Sequence, residues 1–456
     1  MKLPRIMIAA AKSGSGKTLL TCALLQALKD RGIAPSAFKC GPDYIDPMFH
    51  RKVIGVPSRN LDTFFSDQEP LQALFLREKS EFSIIEGVMG LYDGLGGIRE
   101  EGSAYHLAAC LRTPILLVLD AHGMGRSLLP MIAGFLHYDT EHLIAGVILN
   151  RVTKGFYETI KPVLEAELSV PVFGYFPEQR EIRLESRHLG LKMPEEIAEL
   201  KEQVKKAAVV LEETVSIDRI LETAERAQAL NAGKFMVKKV TDSIKIGIAR
   251  DAAFCFYYED NLWMLRQAGA ELIPFSPLHD RELPEGIAGI LLGGGYPELY
   301  AKQLAENKSM KQAIREAIAG GMPSIAECGG FMYLHEKLVE QDGAEYQMCG
   351  VIPGICRNAG KLVRFGYLEL QEKKPHFLSA QQIIKGHEFH YYDSSANGTD
   401  CIAVKPVSQK NWECVHAQGN FWWGYPHLYY PSSPNYVTHF LERAVAYEKR
   451  TSSCFD

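Results

Sequence analysis

The stretch Ala11-Lys12-Ser13-Gly14-Ser15-Gly16-Lys17-Thr18 lies between an apolar run at residues 5–10 and a second apolar segment at residues 19–29. The first run has the pattern of a buried strand, and the second has the spacing of a helix. A strand that passes through a glycine-rich loop into a helix is typical of a phosphate-binding loop, and Ala11 in place of the usual first glycine is a minor departure. The stretch therefore predicts a parallel α/β fold that binds a nucleoside triphosphate.

Five residues of this loop are predicted to hold ATP and its metal ion. The backbone N–H groups of Gly14, Ser15 and Gly16 would meet phosphate oxygens, helped by the positive end of the following helix dipole. Lys17 would reach the outer phosphates, and the Thr18 hydroxyl would bind Mg²⁺. ATP and Mg²⁺ are therefore the expected co-substrate and cofactor.

Lys12 allows two interpretations. One branch of the proteins with a phosphate-binding loop carries a second lysine at this position, which acts across a dimer. An ordinary surface lysine is the simpler interpretation. The sequence thus leaves a homodimer open.

Composition and charge restrict the class of protein. The chain has 456 residues, enough for two or three domains, and its 46% hydrophobic and 23% charged residues are ordinary for a globular protein. The net charge of −5 predicts no nucleic-acid or membrane partner, and no apolar run is as long as a membrane span. Ten scattered cysteines without a CxxC pair favour a reducing compartment, so we expect a cytoplasmic protein without a cleaved signal peptide.

The chain is predicted to contain two α/β halves. Strand-like and helix-like segments alternate through the first half, and a helical stretch rich in Glu and Lys follows at residues 193–239. The alternation then resumes. We expect an ATP-dependent domain at residues 1–235, a linker at 236–243 and a second α/β domain at 244–456.

The segment at residues 38–47, Phe-Lys-Cys-Gly-Pro-Asp-Tyr-Ile-Asp-Pro, is dense in acids and turn residues. It falls where the second strand should end, and ligands of α/β sheets lie beyond the carboxyl ends of strands. Asp43 and Asp46 would therefore face the phosphates, and Lys39 would neutralise a substrate carboxylate or the γ-phosphate. We group Tyr44 with them, although each acid alone could be a turn or cap carboxylate.

Two further acids follow the same logic. Ile84-Ile85-Glu86-Gly87 ends a buried strand in an acid, and Gly90-Leu91-Tyr92-Asp93-Gly94 carries another. Glu86 offers the hard carboxylate oxygens that suit Mg²⁺. Acids at successive strand ends favour a site over unrelated turns, so Glu86 is predicted to bind metal and Asp93 is a further candidate.

A cysteine beside two glycines predicts a second site. In Ala326-Glu327-Cys328-Gly329-Gly330 the cysteine follows a strand-like run and leads into a helix. A free thiol has a pKa of about 8.5, so it needs a helix N-terminus or a histidine to act as a thiolate. The N–H groups of Gly329 and of Gly294, in the turn Gly293-Gly294-Gly295-Tyr296-Pro297, would stabilise an oxyanion. This context favours a nucleophile over a buried structural cysteine.

Several histidines could serve as the base for Cys328. The histidines late in the chain are His387, His390, His416, His427 and His439. We favour His427 in Gly424-Tyr425-Pro426-His427, whereas His439 falls on a predicted terminal helix. Two residues after His427 stands Tyr429 and not an acid. An orienting carboxylate must therefore come from elsewhere, or the site works as a dyad.

Together these residues resemble the cobyrinate a,c-diamide synthase family, whose members amidate corrinoids and carry a glutaminase domain. The resemblance covers nearly the whole chain and is far more specific than a phosphate-binding loop alone. The matching segments are residues 38–47, 86–94, 187–191, 249–258, 275–278, 293–298, 327–330 and 386–390.

The resemblance implies both fold and activity. The first domain would be a parallel-sheet domain like dethiobiotin synthetase, and the second an α/β domain of the class I glutamine amidotransferase type. The reaction would be the ATP- and Mg²⁺-dependent amidation of the a and c acetate side chains of cobyrinate, through acyl phosphates. L-Glutamine would supply ammonia through a thioester on Cys328, and the ammonia would move between the domains.

The resemblance also assigns roles to individual residues. Cys328 matches the nucleophile and His427 its supporting histidine, while Tyr429 replaces a second histidine that the family often has. The other matches are metal-binding positions at Thr18, Asp43 and Glu86, substrate-linked acids at Asp46 and Asp93, and a position near the adenine at Asn150.

Other functions remain open at this level. The same chemistry on hydrogenobyrinate or nickel-sirohydrochlorin would use nearly the same motifs. A cobyric acid synthase is disfavoured because its acid-rich segment differs from Gly41-Pro42-Asp43-Tyr44. A different class of function, a partitioning-type ATPase switch with a non-catalytic glutaminase-like domain, is disfavoured by the intact glycine and cysteine turn.

Overall fold

The computed structural model describes residues 3–78, 80–179, 181–182, 194–231 and 233–452. The sequence segment at 187–191 lies outside the described residues. The chain divides into two compact units, Met1–Phe235 and Met236–Asp456. No helix within the described ranges is long and apolar enough to cross a membrane.

The first unit is built on one seven-stranded sheet in which every pairing is parallel. The strand order is β3-β2-β4-β1-β5-β6-β7. All six residues of the central strand β1 are buried, because helices cover both faces of a parallel sheet. The strands are β1 Arg5–Ala10, β2 Pro35–Cys40, β3 Ser58–Leu61, β4 Phe82–Glu86, β5 Ile115–Asp120, β6 Ile144–Asn150 and β7 Val172–Phe176.

The helices of this unit alternate with the strands. Helix α1 starts at Lys17, directly after the glycines of the phosphate-binding loop. The helices are α1 Lys17–Asp30, α2 Ile45–Phe49, α3 Gln68–Leu76, α4 Ala104–Cys110, α5 Leu128–Tyr138, α6 Lys154–Leu168, α7 Pro194–Thr214 and α8 Ile217–Glu225. The carboxyl ends of β1, β2, β4 and β6 therefore meet at one edge of the sheet, where the sequence predicts a site.

The second unit has a mainly parallel sheet of six strands with the order β10-β8-β11-β13-β23-β22. Only β22 runs antiparallel to its neighbour. The strands from β8 to β13 are β8 Ile244–Ala249, β9 Phe254–Phe256, β10 Ala270–Phe275, β11 Gly289–Leu292, β12 Gly294–Gly295 and β13 Ser324–Glu327. The core of the sheet holds Ile290, Leu292 and Ala326, which are fully buried.

Smaller sheets complete this unit. A five-stranded antiparallel sheet has the order β21-β20-β17-β18-β24, and a four-stranded sheet has the order β15-β14-β16-β19. The remaining strands are β14 His335–Val339, β15 Glu345–Gln347, β16 Ile352–Asn358, β17 Arg364–Glu372, β18 Ile383–His390, β19 Tyr392–Ser394, β20 Cys401–Val404, β21 Asn411–Cys414, β22 His416–Gln418, β23 Phe421–Gly424 and β24 His427–Leu428. The helices are α9 Glu259–Gln267, α10 Ala301–Glu306, α11 Lys308–Ala319, α12 Gly329–Leu334 and α13 Asn435–Ser452.

The predicted fold class, a parallel α/β domain followed by a second α/β domain, is confirmed. The differences lie in the extent of single elements. The terminal helix is longer than the expected 437–447, and α1 begins at Lys17, two residues earlier than the apolar pattern indicates. The terminal helix extends past its apolar stretch through exposed polar residues such as Lys449, whereas the early start of α1 is at the buried Lys17 of the phosphate-binding loop.

Candidate functional site

The phosphate-binding loop turns through two glycines with left-handed backbone angles. Gly14 has a φ of 77° and Gly16 a φ of 96°. A Cβ on Gly16 would lie 2.2 Å from Nδ2 of Asn150, so only glycine allows this approach. The same Nδ2 donates a 2.8 Å hydrogen bond to the carbonyl of Ser15. Asn150, at the end of β6, thereby supports the loop.

Lys17 folds back over the loop. Its Nζ donates to the carbonyl of Met89 and lies 3.5 Å from the carbonyl of Lys12. Burial, with a further contribution from Lys39, lowers the pKa of Lys17. The side chain of Lys12 itself is exposed. Lys17 is therefore a cation already placed at the loop.

Glu86 is the centre of a buried charged cluster at the carboxyl ends of β2 and β4. Its Oε1 accepts hydrogen bonds from Thr18 Oγ1 at 2.6 Å and from Lys39 Nζ at 2.8 Å. Lys39 also pairs with Asp46 Oδ2 at 2.6 Å. His50 Nε2 lies 3.6 Å from Glu86 Oε2. Lys39 and Glu86 meet because they are register partners on adjacent strands.

The protonation of this cluster follows from burial and pairing. Burial raises the pKa of Glu86 to about 7, although Lys39 acts against the shift. Burial alone would lower the pKa of Lys39, but the neighbouring carboxylates outweigh it and hold that pKa well above its usual range. Lys39 likewise outweighs burial at Asp46, whose pKa is lowered. Burial lowers the pKa of His50 to about 4, so its imidazole is neutral.

The donor set at this edge suits Mg²⁺ in part. Thr18 Oγ1 and Glu86 Oε1 are hard oxygen atoms 2.6 Å apart, and Mg²⁺ commonly takes one or two protein oxygens and completes its shell with water and phosphate. The residues that the structure describes contain no group of three or more His, Cys, Asp or Glu side chains arranged around a metal. The oxygens present therefore fit a metal shared with a nucleotide better than an all-protein cage.

The other predicted acids of this unit accept hydrogen bonds from backbone N–H groups of their own loops. Asp43 Oδ1 accepts the backbone N–H groups of Ile45 at 2.8 Å and Asp46 at 3.1 Å. Asp93 Oδ2 accepts the N–H of Gly90 at 2.8 Å. Tyr44 is buried at the start of α2. Asp43 is thus joined to the cluster of Glu86 through the backbone of Asp46.

No local sequence motif indicates that Asn60 belongs to the site. Its Nδ2 donates to the carbonyls of Gly41 at 2.8 Å and of Asp43 at 2.6 Å, so it fixes the turn that carries the acids. His50 was also missed, because nothing in its local sequence marks it as a neighbour of Glu86.

A pocket of about 430 Å³ adjoins the phosphate-binding loop. It is lined by Gly16, Thr18, Asn150, Arg151 and Phe176, among others. The pocket therefore opens at the carboxyl ends of β6 and β7, beside the loop and next to Thr18, which also bonds to Glu86.

In the second unit, Cys328 occupies a strained turn between β13 and α12. Its φ of 46° and ψ of −102° are unusual for a residue with a Cβ. The N–H of Cys328 donates to the Gly424 carbonyl at 2.9 Å, and the N–H of Gly330 donates to the Gly293 carbonyl at 3.0 Å. These bonds hold the thiol at the end of the sheet and join its turn to the glycine turn 293–295.

The glycine turn packs directly on both predicted catalytic residues. A Cβ on Gly294 would lie 2.3 Å from Cε1 of His427, and a Cβ on Gly329 would lie 3.2 Å from the nitrogen of Gly295. Tyr257, which the sequence interpretation did not single out, holds the turn because its hydroxyl accepts the N–H of Gly293 at 2.9 Å and donates to the Ala249 carbonyl. The turn therefore packs against His427 and against Gly329, the residue after Cys328.

His427 lies on β24 opposite His387 of β18. The two imidazole rings stack with centroids 5.0 Å apart, and His387 Nδ1 contacts the hydroxyl of Tyr258 at 3.0 Å. Burial lowers the pKa of His427 to about 3, so its imidazole is neutral and can accept a proton. Tyr429, two positions on, donates a hydrogen bond to Asp260 Oδ2 at 3.0 Å.

The sequence predicts help toward a thiolate, but the protein without substrate holds a neutral thiol. Burial raises the pKa of Cys328 far above its ordinary value, and Glu298 raises it further, while the N–H of Gly329 lowers it. The negative groups Glu388 and Glu327 add to the same effect. The local helix of six residues does not overcome full burial.

The other late histidines are tied to backbone carbonyls. These contacts are His390 Nδ1 to Tyr392 at 2.6 Å, His416 Nε2 to Ala396 at 2.8 Å and His439 Nδ1 to Phe377 at 2.7 Å. Such bonds fix the rings within the fold. Of the late histidines, His427 is the one whose ring contacts the glycine turn.

Comparison with known proteins agrees with this pair of sites. Residues 6–191 match the model of the CobQ/CobB/MinD/ParA nucleotide binding domain, and residues 245–434 match that of the CobB/CobQ-like glutamine amidotransferase domain. A protein of Listeria innocua named cobyrinate a,c-diamide synthase is 41% identical over 94% of this chain and 97% of its own length. The chain belongs to the cobyrinate a,c-diamide synthase family.

Members from distant organisms match equally well along their length. The cobyrinate a,c-diamide synthase of Caldanaerobacter subterraneus subsp. tengcongensis is 39% identical, covering 97% of this chain and 99% of its own. That of Salmonella typhimurium is 38% identical, covering 96% and 97%. Family membership thus extends across both units.

Proposed function

We propose that this chain catalyses the ATP- and glutamine-dependent amidation of the a and c acetate side chains of cobyrinate in cobalamin biosynthesis. The observation that carries the proposal is the full-length match to relatives of that name, which covers 94% or more of the chain in each case reported above. Two sites with the residues for two different reactions support it. We assign the ATP-dependent reaction to the unit Met1–Phe235 and glutamine hydrolysis to the unit Met236–Asp456.

The first reaction must activate a carboxylate, which is a poor acyl donor because its leaving group would be oxide. Transfer of the γ-phosphoryl group of ATP to the carboxylate gives ADP and an acyl phosphate, and ammonia then displaces phosphate to form the amide. Lys17 and the amides of Gly14, Ser15 and Gly16 stabilise the charge on the transferred phosphoryl group. Lys39 neutralises the substrate carboxylate or the γ-phosphate once it leaves Glu86.

Thr18 and Glu86 would hold Mg²⁺ through the two oxygens that now share a hydrogen bond. The ion supplies charge neutralisation on the phosphates when bound. Asp43 supports this edge through its turn, and Asp46 keeps Lys39 charged and in place. Thr18 and Glu86 would thus hold the ion next to Lys39, at the start of the helix that follows the phosphate-binding loop.

The remaining predicted residues bind the two substrates. The pocket beside Asn150 has the location for the nucleoside of ATP, with Asn150 near the adenine. We assign Tyr44, Asp46 and Asp93 to the binding of the corrinoid or of its acyl phosphate. A homodimer is part of the proposal and is tested by the molar mass in solution.

The second reaction releases ammonia. The Cys328 sulfur attacks the amide carbon of L-glutamine, while His427 takes the thiol proton and gives it to the leaving nitrogen. A thioester forms and ammonia leaves, after which water hydrolyses the thioester to glutamate and the free thiol. The N–H groups of Gly294 and Gly329 stabilise the oxyanion. The ammonia is then consumed by the acyl phosphate in the first unit.

The thiol chemistry agrees with a reducing compartment. The nine cysteines within the described ranges are free, including Cys328. We therefore propose the cytoplasm as the place of the reaction.

A substrate panel tests the corrinoid assignment. The protein is incubated with ATP, Mg²⁺ and glutamine in the presence of cobyrinate, hydrogenobyrinate or nickel-sirohydrochlorin, and ADP and amidated product are measured. We expect the highest kcat/KM with cobyrinate. A higher value with either of the other tetrapyrroles would overturn the substrate while leaving the two reactions in place.

A further inference from the structure

Glu298 lies on the turn that packs against the nucleophile. It belongs to the short helical turn Pro297–Tyr300, which follows the glycine turn 293–295. A Cβ on Gly329 would lie 2.9 Å from Cδ of Pro297, so this turn touches the residue next to Cys328. Glu298 therefore lies on a turn that packs against the residue next to Cys328.

The charge of Glu298 acts on the thiol of Cys328. Among the charged groups that act on Cys328, Glu298 has the largest effect, followed by Glu388 and Glu327. Across the described ranges, no Lys, Arg or His side chain forms an ion pair with Glu298. Burial raises the pKa of Glu298 to about 7, and Glu340 raises it further. A cation bound to Glu298 would therefore favour the ionised carboxylate.

Glu298 is the acid of this region that a ligand can reach. Glu327 is buried and accepts a hydrogen bond from the hydroxyl of Tyr430 at 3.2 Å. Glu388 is only 1% exposed. Glu298 is half-buried and therefore partly accessible. A half-buried carboxylate without a counter-ion is unfavourable unless a ligand supplies the charge.

We propose that Glu298 binds the α-ammonium group of L-glutamine and so selects this amide donor. The proposal rests on the glutaminase function proposed above. Glutamine carries its ammonium group a short side chain away from the reacting amide carbon, so its anchor must lie near the thiol without bonding to it. Glu298 meets this requirement, because it acts on Cys328 through charge and lies on the adjoining turn.

The same contact links substrate binding to the reactivity of the thiol. In the free protein Glu298 helps to keep the pKa of Cys328 high. An ammonium group paired with Glu298 cancels this negative charge and favours loss of the thiol proton. Cys328 is then activated by the substrate it attacks and stays unreactive toward other electrophiles in its absence.

Two thiol reagents separate this role from a structural one. The glutamine analogue 6-diazo-5-oxo-L-norleucine carries the ammonium group, whereas iodoacetamide does not. In Glu298→Gln, the rate of inactivation by the analogue should fall roughly ten- to a hundredfold, because one charged hydrogen bond to the ammonium group is lost. Alkylation by iodoacetamide should become faster, because removal of the acid lowers the thiol pKa. Glu336→Gln, an exposed acid on β14, is the control and should change neither rate.

The outcomes are distinct. Equal changes in both rates, or an unchanged rate with the analogue, would overturn the ammonium site. The unmodified protein offers a second measurement that does not depend on folding of the variant: the analogue without its amino group should inactivate far more slowly, and equal rates would overturn the proposal. Amidation driven by added ammonia tests the proposed function separately and should be the same in Glu298→Gln and the unmodified protein.

Discussion

Thr18 Oγ1 donates a 2.6 Å hydrogen bond to Oε1 of Glu86, although 68 positions separate the two residues. The bond joins the start of α1 to the end of β4 at the carboxyl edge of the sheet. Lys39 Nζ reaches the same carboxylate oxygen. Lys39 therefore lies beside the carboxylate that, together with Thr18, would hold a metal ion.

Removal of the Thr18 hydroxyl should weaken the use of MgATP. In Thr18→Ala we expect the Mg²⁺ concentration for half-maximal ATP-dependent amidation to rise roughly tenfold or more, because one metal ligand is lost. The measurement is ADP release against Mg²⁺ concentration at fixed ATP. Thr18→Ser keeps the hydroxyl and is the matched control. Equal behaviour of the two variants would show that the hydroxyl binds no metal.

Asn150 should contribute to ATP binding through the loop. Loss of its 2.8 Å hydrogen bond to the Ser15 carbonyl frees the turn at Gly16, and a hydrogen bond of this kind contributes about 1 kcal/mol. Asn150→Ala should therefore raise the KM for ATP by roughly five- to tenfold. The KM for glutamine in the glutaminase assay is the internal control, and a parallel rise there would point to general damage.

A single methyl group at Gly294 should impair glutamine hydrolysis alone. The added Cβ would stand 2.3 Å from Cε1 of His427, so the imidazole must move. Displacement of a catalytic group by about 1 Å costs roughly a hundredfold in rate, and we expect at least that loss of glutaminase activity in Gly294→Ala. Ammonia-dependent amidation should persist.

The control for this variant is Gly125→Ala, where an added Cβ meets nothing within 4 Å. It should keep both activities. Undiminished glutaminase activity in Gly294→Ala would mean that His427 takes no part in the reaction.

Buried histidines should make the fold sensitive to acid. His335 bonds to the Phe331 carbonyl and to Ser394, and burial lowers its pKa from 6.5 to about 4. A depressed pKa gives stability that is complete above pH 6.5 and is lost as the pH falls toward 4. Between pH 7.5 and 5 this one group accounts for roughly 2 kcal/mol of the free energy of unfolding.

Urea unfolding at the two pH values tests this. His335→Gln removes the titrating group, so its free energy of unfolding should fall less on acidification than that of the unmodified protein. His439→Gln, at a partly buried histidine, is the comparison and should retain the full acid sensitivity. An equal fall in His335→Gln and the unmodified protein would contradict the assignment.

The sequence reveals the elements whose patterns are local. The strand before Gly14 and the turn at Cys328 are both recognisable, because apolar runs and glycines mark them. Strand β3 is less visible, since Ser58, Arg59 and Asn60 are polar and are buried through their hydrogen bonds and ion pairs. Such burial depends on neighbours that are distant in sequence.

Contacts across the sheet explain what the sequence could not reveal about the sites. The pairing of Lys39 with Glu86 follows from the register of β2 and β4 and not from any local motif. His50 joins them only because α2 turns back over the strand ends. The neutral state of the Cys328 thiol likewise results from burial by the whole second unit, which outweighs the glycine turn and the helix start.

The central claim is that nitrogen released from glutamine at Cys328 becomes two amides of cobyrinate. We would incubate the protein with cobyrinate, ATP, Mg²⁺ and glutamine labelled with ¹⁵N in its amide, and determine the product by mass spectrometry. Cys328→Ala supplied with unlabelled ammonia is the control, and it should amidate cobyrinate while using no glutamine. We predict two labelled nitrogens per product molecule with the unmodified protein. Amidation without label, or none at all while glutaminase activity is intact, would contradict the claim.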